Sequence, residues 1–140
     1  MDNLEIQNKD GNEMTISLPG VQPQTASNYG IFYIANRPIE IRKIKEVHSV
    51  AGNDGSAVTL QVEKLTGTTA LDSGSTLLTT AFNLKGTDNT VVSYEGRGLT
   101  SNRILKEGDR LALKDSGTLT NLQGVCVTIY YTYANCGHYR

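Results

Sequence analysis

The sequence predicts an all-β chain: a single jelly-roll-like antiparallel β-sandwich of about eight strands, preceded by an N-terminal arm or hairpin. Three observations lead there. Apolar residues recur at every second position in several separate runs. The clearest sets Val125, Val127, Ile129, Tyr131 and Tyr133 against Cys126, Thr128, Tyr130 and Thr132, the alternation of a strand with one dry face. Turn-forming clusters of Gly, Asp, Asn and Ser separate these runs at regular spacing, as a sandwich or barrel requires. No segment of any length carries helical periodicity, and only Ser75 to Phe82 has room for a single turn. Eight strands suit a jelly roll, although spacing alone does not determine topology.

The elements follow in order. Met14, Ile16 and Leu18 alternate with Thr15 and Ser17, and Leu4 with Ile6 supplies a facing strand across the turn Asn8-Lys9-Asp10-Gly11-Asn12. A polar connection, Pro19 to Asn28, makes residues 1–28 an arm or hairpin with a tether. Residues 29–133 form the sandwich. Its first strand, Tyr29 to Ala35, is an apolar run short enough to be fully buried. In Ile39 to Val50 the alternation changes phase, since Ile39 and Ile41 share a face and Ile44 falls on the other. A bulge near Lys43 would return all three to the core. The next pair of runs flanks Ala51-Gly52-Asn53-Asp54-Gly55-Ser56, where Asp54-Gly55 carries turn chemistry. Val58, Leu60 and Val62 then face the core, with Thr59, Gln61 and Glu63 on the wet side. Thr66 to Thr76 is too polar for a strand core and reads as a surface loop. Short strands follow at Leu77 to Leu84 and Asn89 to Tyr94, then an irregular stretch at Gly96-Arg97-Gly98. Leu111 and Leu113 share one side of a strand closed by Asp115-Ser116-Gly117-Thr118, and the Val125 to Tyr133 run ends the body. Residues 134–140 are a tail.

At 140 residues the chain has the size of one domain, large enough to bury a core without disulfides or metals. With no Trp and two Phe, that core must be built from Val, Ile and Leu. A net charge of −1 without a basic stripe disfavours direct nucleic-acid binding. Arg42-Lys43-Ile44-Lys45, flanked by Glu40 and Glu46, reads as a solvated strand face. No apolar run approaches the ~20 residues of a membrane span, and a signal-peptide core is missing, so synthesis in the cytoplasm is expected. In such a compartment Cys126 and Cys136 are expected as free thiols.

Candidate chemistry is sparse. Cys136-Gly-His138 with Cys126 or His48 offers one short-spaced ligand pair, where structural zinc wants four ligands. Asn53-Asp54-Gly55-Ser56 carries one carboxylate, where calcium wants six to eight oxygens. Asp54, Asp88, Asp109 and Asp115 are more simply turn formers. His48 beside Asp54 and Ser49 or Ser56 lacks the strained elbow of a nucleophile, and no carboxylates are suitably paired for glycoside hydrolysis. The reading is therefore no enzyme, no cofactor and no metal. An interaction surface is the better candidate. Tyr130, Tyr131, Tyr133 and Tyr139 cluster at the C-terminal end, and Tyr suits sites with one dry and one wet end. Tyrosines capping the edge of the core are the alternative. Asn53 and Asp54, on the small-residue loop, complete the candidate set.

Three stretches, EVHSVAGNDGSAVTLQVEKLTGT, FNLKGTDNTVV and EGDRLALKDSGTLTNLQGVCVTIYY, resemble a family of small virion proteins of tailed bacteriophages. The combination of AG-x-DG-x-AVTL, TGT and GDRLAL-x-x-SGTLT carries the resemblance, which spans Tyr29 to Tyr133. It implies a capsid decoration, or cement, protein: a β-sandwich module on the virion surface that binds the major capsid protein, reinforces the shell and often trimerises. A tail- or head-fibre module that binds a receptor or carbohydrate is the alternative, and the lack of Trp argues against it. The Cys136-Gly-His138 tail departs from the pattern.

Overall fold

The computed structural model describes residues 12–22 and 30–134. Its strands are β1 (Asn12–Val21), β2 (Gly30–Ile34), β3 (Ile39–Val47), β4 (Thr59–Leu65), β5 (Ser75–Thr76), β6 (Phe82–Asn83), β7 (Val92–Glu95), β8 (Ile104–Leu105), β9 (Arg110–Ser116) and β10 (Gln123–Tyr133). Sheet A runs β1-β10-β3-β7, with β8 on the same edge of β3 as β7; sheet B runs β2-β9-β4-β5, with β6 on the same edge of β4 as β5. All pairings are antiparallel. If β5 with β6, and β7 with β8, are taken as interrupted strands, eight positions are divided between the sheets in jelly-roll order. The fold class expected from the alternation is the one observed.

The core fills the space between the sheets with aliphatic side chains. Ile39, Ile41, Ile44, Val58, Leu60, Val62, Leu111, Val127 and Ile129 are all fully buried, and Phe82 is the one large aromatic among them. The phase change in β3 is resolved by a bulge. Tyr130 pairs with Lys43 and Tyr131 with Ile41, which leaves Arg42 as the extra residue. One inserted residue re-aims the strand, so Ile39 and Ile41 before it and Ile44 after it share the inner face.

The same bulge corrects another expectation. Beyond it, Glu46 turns inward with Ile44 and His48 and is buried, not part of a solvated face. Further differences have a common cause: alternation reports which side of a strand is dry, not which strand lies beside it. The segment expected in an arm, Met14 to Leu18, belongs to β1 and pairs with β10 from Asn12↔Tyr131 to Val21↔Gln123. Leu4, Ile6 and the turn between them and β1 lie outside the described residues. β2, expected fully buried, is an edge strand with Ile31 44% and Ile34 66% exposed. Between Leu77 and Tyr94 only β6 and β7 are strands; Leu77 and Leu78 are buried in irregular backbone, the Leu77 amide donating to the Val62 carbonyl and the Leu77 carbonyl accepting from the Thr100 amide, and Leu78 held by the Gln61 side chain.

Gly117, just after β9, has φ +93, and a Cβ there would collide with the Ala57 carbonyl oxygen. Gly117→Ala is therefore expected to cost about 1–3 kcal/mol, from left-handed strain plus displaced backbone. Urea denaturation checks this, the midpoint falling with an unchanged slope.

Candidate interaction surface

The two outward faces of the sandwich are treated differently. The outward side chains of β4 are buried or half-buried, and Gln61 and Glu63 hold the chain that crosses over them. Gln61 acts as a substitute ladder partner: its Oε1 accepts from the Leu78 amide (2.8 Å) and its Nε2 donates to the Leu78 carbonyl (3.2 Å). Glu63 accepts from the amides of Asp72 (2.7 Å) and Gly74 (3.0 Å) and is 1% exposed. The expected wet face of β4 is thus partly covered by the Thr66–Thr76 loop, and Lys114 clamps the same loop through Asp72 at 2.6 Å. That bond raises the pKa of Lys114.

The outward face of sheet A stays open among the described residues. Residues directly opposite one another on antiparallel strands share a face, so the registers define its rows: Thr15, Thr128, Lys45 and Ser93, then Glu13, Tyr130, Lys43 and Glu95. Thr15 and Thr128 join their hydroxyls across β1 and β10 (3.1 Å). Tyr130 sits at the centre, with the ammonium of Lys43 5.4 Å and that of Lys45 5.2 Å from its ring centroid, within cation–π range. Where β7 ends at Glu95 and β8 starts at Ile104, no strand among the described residues pairs with Ile41 and Arg42 on that side. Two short 3-10 turns, Gly96–Gly98 and Ser101–Arg103, bow around the gap. The result is a groove of about 1030 Å³ lined by Glu40, Arg42, Lys43, Arg103, Tyr130 and Tyr133, among others. Glu40 is shared by Arg42 (3.2 Å) and Arg103 (3.5 Å), and Lys43 reaches Glu95 (3.6 Å). Such part-exposed pairs are worth about 0–1 kcal/mol each, so they give way readily to a stronger partner.

The candidate residues named from sequence are not brought to one place. β10 runs from the end holding Asn53 and Asp54 to the end holding Tyr131 and Tyr133, about 30 Å over its eleven residues. Asn53 is exposed, its amide donating to the Thr120 carbonyl (3.1 Å). Asp54 Oδ2 accepts from the Ser56 amide (3.0 Å), a turn-forming role. Asp88 and Asp109 likewise accept from backbone amides, of Ala51 and Lys106. Among the described tyrosines, Tyr130 faces outward between the groove cations and Tyr133 lines the end of the groove. Tyr131 points inward to Tyr33 of the other sheet (centroids 6.2 Å) and meets Tyr133 edge-on (6.0 Å). Burial raises the pKa of Tyr33 and Tyr131, which keeps both as neutral phenols. Tyr133 is 43% exposed under the Arg37 guanidinium, 3.9 Å above its ring. Tyr139 lies outside the described residues, as do Cys136 and His138.

His48 was read beside Asp54; its partners are others. It is 2% exposed, with Nε2 2.9 Å from the Gly86 carbonyl and Nδ1 2.7 Å from Glu46 Oε2. A carbonyl only accepts, so Nε2 carries a proton and donates it. The short Nδ1 contact then needs a second proton, held on the imidazole or on the carboxyl. Burial raises the pKa of Glu46 against the His48 bond and charge. For His48, burial pulls down but is outweighed by Gly86, Glu46 and Asp88, so its pKa is also raised. The pair joins the end of β3 to the Gly86 turn and is sealed from substrate. Among the described residues no cluster of three or more His, Cys, Asp or Glu is arranged to hold a metal. Two signals missed at the sequence level were Glu46-x-His48, an i, i+2 pair on one strand face, and the Lys43/Lys45 ladder beside Tyr130.

No protein-family model and no curated protein matches this sequence. Among solved structures, the fold is similar to a chain in the capsid of Ralstonia phage GP4, with TM-score 0.55 and 13% identity over 90% of this chain and 86% of that one. It is also similar to a chain in the capsid asymmetric unit of cyanophage Pam1, with TM-score 0.50 and 12% identity over 89% and 87%. A chain from the disulfide-linked pili of Bacillus endospore appendages has TM-score 0.43 and 14% identity over 90% and 91%. At these identities the likeness concerns the fold.

Proposed function

We propose that this chain is a structural virion protein of a tailed phage, which decorates the capsid exterior, binds the major capsid protein and stabilises the shell as a homotrimer, without enzymatic activity. The observation that carries the reading is the near end-to-end likeness to a chain of a phage capsid, 90% of one against 86% of the other. The match spans most of both chains compared. The chemistry supports a binding role. Its buried ionisable pair is sealed, its acids serve turns and loops, and its open face is polar with one central aromatic. Shell reinforcement draws on many modest contacts repeated over a lattice, where avidity replaces single-site affinity.

Purified particles of the encoding phage provide the test. The chain is expected in fixed stoichiometry with the major capsid protein, with gold-labelled antibody on heads. Particles lacking it are expected to rupture at lower temperature. Labelling confined to the tail overturns the placement.

A further inference from the structure

The geometry points to the outward face of sheet A around Tyr130 as the docking site for an acidic, extended segment of the protein on which this module sits; the partner's identity rests on the capsid reading above. Of the two outward faces, that of sheet B is partly covered by the chain's own backbone, held by Gln61 and Glu63, and its β2 edge exposes the uncharged Ile31 and Ile34. That of sheet A is left with cations in excess. Four cations, Arg42, Lys43, Lys45 and Arg103, gather there against three carboxylates, Glu13, Glu40 and Glu95. Lys45 has, among the described residues, the Tyr130 ring and no carboxylate within ion-pair distance. Two ammonium groups beside one ring make a site for a carboxylate: the ring holds the lysines on the sheet surface, and their remaining N–H donors are available.

The shape argues for a polypeptide. The groove follows β3 from the Lys43 row to the Glu40 row, and along it the sheet edge has, among the described residues, no neighbour at Ile41 and Arg42. An extended chain lying there places alternate side chains toward the cations, as in strand-type recognition. A carbohydrate would want open aromatic platforms, and Tyr130 is already flanked by Lys43 and Lys45 on the sheet surface.

The test is an NMR titration of the isotope-labelled full chain with octaglutamate at low and physiological salt. Amide shifts are expected to concentrate on Arg42, Lys43, Lys45, Tyr130 and Thr132, and to weaken as salt rises. K43E/K45E is expected to lower the affinity at least tenfold, Y130A severalfold, and K106E, on the exposed Lys106, not at all. Thermal melts confirm that each variant is folded. Shifts that are absent, scattered, or unchanged in K43E/K45E overturn the proposal. Stronger perturbation of the same amides by heparin than by octaglutamate overturns the polypeptide assignment. Co-sedimentation of the wild-type chain with capsid shells is scored separately: failure there sinks the capsid reading, while the titration still decides what the face binds.

Discussion

His48→Ala is expected to destabilise the fold by about 3–5 kcal/mol at neutral pH, measured by urea denaturation. Removing the imidazole leaves Glu46 at 1% exposure with neither carboxylate oxygen paired, since Oε1 already lacks a hydrogen-bond partner. A half-broken buried pair costs more than the intact pair contributes. The replacement Glu46→Leu/His48→Leu is therefore expected to cost less than His48→Ala alone. The pH dependence has a definite sign. The folded pKa of His48 lies above its ordinary 6.5, so its contribution is fully present below 6.5 and fades as pH rises through the folded value. Glu46, raised above its ordinary 4.5, acts in the same sense, because the folded state holds its proton more tightly than the unfolded chain does. The wild type should thus lose stability from mildly acid to alkaline pH, and the double variant should lose less. A gap between the two that widens with rising pH would contradict the proton-sharing geometry.

Glu63→Ala is expected to cost about 3 kcal/mol and to loosen the Thr66–Thr76 loop selectively. Its carboxylate receives two short amide bonds, and bonds to a charged group are worth about 1.5–3 kcal/mol each before relaxation. Asp72, with φ +72, and Gly74, where a Cβ would collide with the Lys64 carbonyl oxygen, hold a tight return that these bonds and β5 tie to β4, while Lys114 and Arg110 of β9 hold Asp72 and the Gly67 and Thr69 carbonyls. Glu63→Gln retains one acceptor and should lose less. Limited proteolysis provides the second readout: cleavage within 66–74 should accelerate in Glu63→Ala at temperatures where the core remains protected from hydrogen exchange. Uniform loss of protection across β9 and β10 would mean that Glu63 supports the whole sandwich.

Much of the fold was legible because strand chemistry is written in period two. Val125 to Tyr133 and Val58 to Val62 declared their dry faces directly. The misplacement of Ile44 relative to Ile39 and Ile41 was enough to locate the β3 bulge. The candidate surface was only half legible. Tyr130 was named with Tyr131 and Tyr133 because they are neighbours in sequence, yet alternation sends Tyr130 to the outside and Tyr131 to the aromatic seam with Tyr33. Asn53 and Asp54 fell in the same candidate set and lie at the other end of β10. Glu46 and His48 appeared as a charge flank and a loop histidine, since their pairing becomes visible only once the phase beyond the bulge is followed inward.

By itself the sequence determined the class of architecture, the aliphatic character of the core, its turns and the phase of most strands, because these depend on local periodicity and on backbone freedom at a few residues. Tertiary structure alone decided that β1 joins the sandwich as the partner of β10, that β2 is an edge, and that one outer face is partly roofed by a loop while the other, among the described residues, stays open with its lysines around Tyr130. Those outcomes depend on hydrogen bonds between residues as much as a hundred and more positions apart, for which a single chain carries no local signal.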